Sequence, residues 1–312
     1  MPQKLTEGSI SRSLIRFSLP FLVSNFIQIL YGLVDLYIIG RYCNSAVITA
    51  VSVGSQVMHL VTVVITSLLM GTTVMISHGI GANDSQKIKK NIGNSTTFFT
   101  IFSVALCIIM LLFNNTLLKL LSVPEESLKE AKIYLVICFL GIPFITMCNL
   151  LSAILRGLGD SKTPMYFVAI ACVVNIILDF LFIGILKLSA MGAALGTVIA
   201  QSISVFLGLL IIRRKKLNLN LSKSDFFLEP FTLKKNFSVG IPIAFQDGIV
   251  QISFIIITKI ANGRGIEMAA AVGIVEKIIS IMFLIPSSML SSISPFCAPT
   301  AGPRLPNRAA LA

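Results

Sequence analysis

The sequence predicts an all-α polytopic membrane protein, with a complete six-helix N-terminal bundle followed by the first two helices of a second, repeat-related bundle. Three observations lead there. Of 312 residues, 55% are hydrophobic and only 12% charged, where a soluble domain carries about 25% charged residues. The apolar residues fall in long runs, close to or above the roughly 20 that a helix needs to cross a bilayer. Lys and Arg cluster in alternate loops, which is how a multi-pass protein sets its orientation. The net charge of +12 is therefore an orientation signal and not an affinity for nucleic acid.

The spans follow in order. Met1 to Ser13 is a basic approach carrying Lys4 and Arg12, with Arg16 just beyond. Span one, about 14–39, contains Pro20, which removes a backbone hydrogen bond and predicts a helix hinge, and Asp35 beside Gly32. Span two, about 47–77, is long and rich in Ser, Thr and Gly, a composition that favours close helix packing. The loop Gly79 to Asp84 leads into Lys87, Lys89 and Lys90. Span three, about 96–113, is followed by a connection of mixed charge around Pro124 to Glu130. Span four, about 131–155, carries Gly141 and Pro143 at its middle.

The turn from Arg156 through Gly157, Gly159 and Asp160 to Pro164 has its own logic. Glycines end one helix, Thr163 is suited to cap the next, and Pro164 fits a first helical turn. Span five covers about 164–186 and span six about 191–212, the latter rich in Gly and Ala with Thr197 inside it. The six spans make an N-terminal bundle over 1–213. A polar segment, 214–236, reads as a cytoplasmic linker. Spans seven and eight then occupy 237–293.

Asn175 and Asp179 organise the chain. They lie four residues apart in span five, so a helix stacks them on one face, deep in an apolar run. A carboxylate at that depth costs about 2.5 to 3.5 kcal/mol and is seldom kept without a partner or a task. Asp35 is a second such acid. Either the acids are paired helix-helix contacts, or they share a poorly hydrated cavity where both cannot ionise cheaply, and so hold a proton or a monovalent cation. The second alternative makes Asp35, Asn175 and Asp179 a site able to take H+ or Na+.

Other classes of function find little support. The six cysteines are scattered without paired spacing, which argues against a disulfide frame or a metal site. No Gly-rich phosphate loop with a Lys-Ser/Thr pair occurs, so ATP drive is not expected. No enzyme chemistry and no cofactor are expected. Placing the N-terminus in the cytoplasm puts 15 Lys and Arg on that side up to residue 235, against seven on the other, counting Lys259 and Arg264 beyond that residue. The cell membrane, multi-pass with a cytoplasmic N-terminus, is the expected location.

Phe17-Ser18 with Pro20 is echoed by Phe237-Ser238 with Pro242, a pattern of parallel repeats about an axis along the membrane normal. The last residues, 294–312, change composition abruptly, holding four of the 12 prolines. They read as an aberrant tail, from a frameshift or a truncation.

These features together resemble the MATE (multidrug and toxic compound extrusion) transporters, in particular the DinF-like prokaryotic branch. The resemblance rests on Pro20 and Asp35, the Gly79 to Asp84 loop, the Arg156 to Pro164 turn, the Asn175/Asp179 pair and Thr197, and it covers about residues 8 to 293. It implies two six-helix bundles in a V and exchange of H+ or Na+ for cationic, aromatic drugs by a monomer. It assigns Asp35, Asn175, Asp179 and Thr197 to a cation site. Val250 departs from the pattern, standing where some sodium-coupled relatives have Glu, and the last four helices are missing. The expected function is secondary antiport of small, cationic molecules across the lipid bilayer. The alternatives are a non-transporting truncated remnant and a flippase of lipid-linked oligosaccharides.

Overall fold

A computed structural model describes residues 10–121, 123–214 and 221–262, and beyond them residues 275, 278–279, 282–286, 288–289 and 293. Eight long α-helices occur in the continuous stretches: α1 (Ile10–Tyr42), α2 (Ser45–Gly81), α3 (Ser85–Leu120), α4 (Glu125–Leu140), α5 (Ile142–Gly157), α6 (Lys162–Asp179), α7 (Ser189–Arg214) and α8 (Pro230–Asn262). No strand occurs among the described residues. Six helices are individually long and apolar enough to cross a membrane, and α4 with α5 supplies a seventh crossing when taken as one bent span.

Expected spans one to seven are all present as helices, several of them longer than the apolar run alone suggests. The added turns bring charged residues into the helices, Lys87, Lys89 and Lys90 in α3 and Lys234 and Lys235 in α8. Helix α2 reaches Gly81, so the expected Gly79 to Asp84 loop shrinks to a turn at Ala82–Asp84, where Asn83 takes φ 53° and Asp84 caps α3 by accepting the Lys87 N–H at 2.9 Å. Helix α8 begins at Pro230, inside the segment read as a linker; a 3-10 turn, Lys223–Phe226, precedes it. Span four is α4 and α5 meeting at 47°. Pro143 lies in the first turn of α5 and cannot donate to the preceding helix, while Gly141 lets the bend pass close to Val198 of α7. Helix α1, by contrast, runs through Pro20 without a break, and Ser24 Oγ donates to the Pro20 carbonyl at 2.7 Å.

The core lies between α2, α4 and α5. Ile65, Leu69, Ile76, Leu135, Phe139, Ile142 and Leu150 are fully buried there. Membrane helices gain no hydrophobic effect from one another, so small residues that bring backbones together carry the association. Gly157 is one: a Cβ there would meet the Thr73 carbonyl and Ile76, and Ser77 donates to the Gly157 carbonyl at 3.0 Å. Helix α8 lies along α2 in the same manner. Added Cβ atoms at Gly71 and Gly240 would collide with the backbones of Asn236 and Leu68.

Helix α6 does not end at Asp179. The next six residues, Phe180–Ile185, continue as a π-helix before the chain turns into α7. Of span eight, expected at 269–292, residues 282–286 are helical; Glu276, Lys277 and the tail 294–312 lie outside the described residues.

Candidate functional site

Asp35, Asn175, Asp179 and Thr197 are brought together where α1, α6 and α7 converge. Asp179 and Asn175 are 0% and 2% exposed. In the amide orientation that satisfies both neighbours, Asn175 Nδ2 donates to Asp179 Oδ2 at 2.9 Å and its oxygen accepts the Thr197 backbone N–H at 3.1 Å. Thr197 Oγ1 donates in turn to the Ala193 carbonyl at 3.1 Å. The i, i+4 spacing of Asn175 and Asp179 thus does what helix geometry dictates: the amide links the acid to the next helix.

From α1, Asp35 comes near enough to Asp179 for the two carboxyls to act on each other electrostatically. Its Oδ1 is buried and has no hydrogen-bond partner among the described residues. Two carboxyls so placed repel each other unless a proton or a cation lies between them. Among the described residues neither carboxyl has an ion pair with Lys, Arg or His.

Three participants escape a reading of the sequence alone. Tyr31 lies one turn before Asp35 and its hydroxyl is 3.2 Å from Thr197 Oγ1. Its spacing of four from a buried acid is the available signal. Gly196 leaves the volume that the Asp179 carboxylate fills, since a Cβ there would collide with Asp179 Oδ1. Tyr134 of α4 is buried on the same side of the bundle, its hydroxyl 3.1 Å from Ser55 and its ring filling the space left by Gly54.

The turn motif stands apart. Lys162 and Asp179 bound α6, so the motif is about 25 Å along the helix axis from the acid pair. Gly159 takes φ 84°, a conformation that costs glycine nothing. Asp160, and not Thr163, caps α6: its Oδ1 accepts the Thr163 N–H at 3.0 Å and its Oδ2 the Thr163 hydroxyl at 2.6 Å. A carboxylate offers two acceptor oxygens where Thr offers one hydroxyl. Pro164 is buried in the first turn. The Arg156 guanidinium sits 4.8 Å from the centre of the Phe21 ring, joining the end of α5 to the residue after Pro20.

Apolar helices surrounding a buried two-carboxyl site define a multi-pass α-helical membrane protein with a polar centre in its first bundle. The MatE family model matches residues 20–181, and the chain belongs to that family. It is 29% identical to the probable multidrug resistance protein YpnP of Bacillus subtilis over 280 residues, which cover 89% of the chain and 62% of YpnP. It is also 29% identical to the probable multidrug resistance protein YoeA of Bacillus subtilis, over 96% of the chain and 66% of YoeA. The chain thus spans a little under two thirds of the length of these relatives. Among solved structures, an outward-facing multidrug resistance MATE family transporter of the MOP superfamily superposes with a TM-score of 0.90 at 22% identity, covering 100% of this chain and 70% of the other. A MATE in the straight conformation gives 0.89 at 22%, again covering 100% and 70%. At such identities the likeness speaks for the fold.

Proposed function

We propose that the protein is a secondary active antiporter that exports cationic, aromatic small molecules in exchange for H+ or Na+. The observation that carries this reading is the approach of Asp35 on α1 to Asp179 on α6, inside the bundle and without a basic partner among the described residues. The pair holds one proton or monovalent cation, with Asn175 and Thr197 fixing the second carboxyl and the free Oδ1 of Asp35 open to the ion. Binding neutralises the repulsion and draws α1 onto α6. Release to the other side of the membrane lets α1 move again about Pro20. A cationic substrate competes for the same negative charge, and exchange follows from that competition.

The driving force suffices. One charge crossing 100 mV supplies about 2.3 kcal/mol, and each pH unit adds about 1.4 kcal/mol. The polarity of the site favours a cationic over an anionic cargo, which speaks against a flippase for acidic, lipid-linked sugars. The relatives' names, multidrug resistance proteins, point the same way. The proposed setting is the cell membrane with a cytoplasmic N-terminus and a monomeric transporter. In support, the Lys-rich turn after α2 and the start of α8 lie on one face, Lys90 Nζ and Glu229 Oε1 being 3.3 Å apart.

The test is ethidium efflux from energised vesicles carrying the full chain. Export should collapse by at least about tenfold in Asp35→Asn and in Asp179→Asn, as for loss of an essential charge. Efflux equal to that of the parent in both variants, or none from the parent itself, would overturn the proposal.

A further inference from the structure

A cavity of about 430 Å³ opens between the start of α3 and the start of α8, far from the acid pair. Three lysines line it, Lys87, Lys90 and Lys235, together with Asp84 and Glu229. Both acids are already engaged. Asp84 caps α3, and Glu229 accepts the Thr232 hydroxyl at 2.7 Å and Lys90 Nζ at 3.3 Å, which hold its carboxyl below the usual glutamate range. Lys87 and Lys235 have no acidic partner among the described residues, and Lys235 Nζ rests 4.1 Å from the centre of the Phe231 ring. Three ammonium groups against two carboxylates leave the hollow net positive, and Lys87 and Lys235 are the two ammonium groups outside an ion pair.

The surroundings are those of a bilayer interface. About two to four turns further along α3, and just past Lys235 on α8, Phe98 and Phe237 meet at 4.8 Å and Phe98 stacks on Phe102, giving an aromatic wall. On the other side the segment before α8 exposes Phe227 (75%) and Leu228 (45%) outside any span, and Phe231 (64%) follows in the first turn of α8. That segment is held in place: Thr97 Oγ1 donates to the Phe226 carbonyl at 2.8 Å, and Asn94 Oδ1 accepts the Glu229 N–H at 2.6 Å. Apolar side chains held rigidly outward beside lysines match a headgroup layer and not water.

We infer that this cavity binds the phosphate of an anionic phospholipid, with Lys87 and Lys235 as its charge partners and its acyl chains against Phe98, Phe102 and Phe237. The lipid would staple α8 to the first bundle at their shared edge. The inference is independent of the export reading, because it concerns neither the acid pair nor any cargo.

Native mass spectrometry of the full chain in neutral detergent, with phosphatidylglycerol and phosphatidylcholine of identical acyl chains, tests it. Each lysine near an anionic headgroup is worth about a fivefold preference, so the pair gives about 30-fold for phosphatidylglycerol. The Lys87→Gln/Lys235→Gln double variant should lose that preference, and the Lys87→Arg/Lys235→Arg variant should keep it. If the double Gln variant does not fold, Lys87→Gln and Lys235→Gln singly should each lose about fivefold. Equal retention of both lipids by the parent, an undiminished preference in the Gln variants, or its abolition by millimolar inorganic phosphate would each sink the inference, the last showing a free-anion site.

Discussion

Ser67 Oγ donates to Asp247 Oδ2 at 2.6 Å across the line where α2 and α8 lie together. It is one of two polar contacts described along that line, with His59 Nδ1 and Gln251 Oε1 3.2 Å apart to one side, while Asn236 Nδ2 donates across to Ser95 Oγ of α3 at 3.2 Å. An acid in an apolar helix is thereby given a donor from its neighbour. Replacing Ser67 with Ala removes the donor and leaves the acid facing apolar surface, at a cost of about 1 to 3 kcal/mol. The thermal midpoint in detergent should fall in Ser67→Ala and fall less in Asp247→Asn, whose amide oxygen still accepts from Ser67.

Gly196 predicts a second outcome. A single methyl there meets the Asp179 carboxylate, which is anchored by Asn175 and cannot retreat freely. Gly196→Ala should cost about 1 to 3 kcal/mol as an overpacking change and should abolish dye export. Vesicle efflux together with a melting curve separates the two effects; full activity would mean the acid is not held as described.

At the far end of α6, Asp160 carries the cap that the sequence pattern assigns to Thr163. Asp160→Ala should destabilise by about 1 kcal/mol. Thr163→Val, which keeps the backbone N–H that Asp160 binds at 3.0 Å, should destabilise less. Chemical denaturation of the two variants side by side measures the difference.

The Lys90–Glu229 contact predicts a pH effect at the start of α8. Glu229 is shifted down in the folded protein, first by the Thr232 hydroxyl and then by Lys90. Its contribution is therefore fully present above the unfolded value of about 4.3 and is lost as pH falls through the lower folded value. Hydrogen exchange over residues 230–235, corrected for intrinsic rates, should quicken below about pH 4 in the parent. In Glu229→Gln the corrected rates should stay flat across that range.

Much of the fold is legible because membrane helices advertise themselves: long apolar runs place all seven crossings described here. Their ends are less legible, since α3 and α8 begin in polar, Lys-containing turns outside the apolar runs, where no hydropathy signal marks the boundary. The break at Gly141 is visible as two residues, but neither its 47° angle nor the close approach of Val198 from another helix can be read from them. Asn175 and Asp179 are readable from spacing within one helix. That Asp35 meets them, and that Tyr31 and Gly196 complete the surroundings, depends on how α1, α6 and α7 pack, which no local pattern records. Asp247 cannot be assigned from sequence for the same reason: its partner Ser67 is 180 residues away in the chain.

The six-residue π-helix after Asp179 has a consequence for movement. Each residue of an ordinary helix turns the chain by about 100°, and a π-turn accommodates one residue more than its length requires. Sliding that surplus by a few positions along Phe180–Ile185 would swivel the adjoining side chains while both ends of the segment stayed anchored. The acid at its edge thus stands where tightly wound helix gives way to a looser coil, a seam in the backbone beside a side chain that is itself held fast.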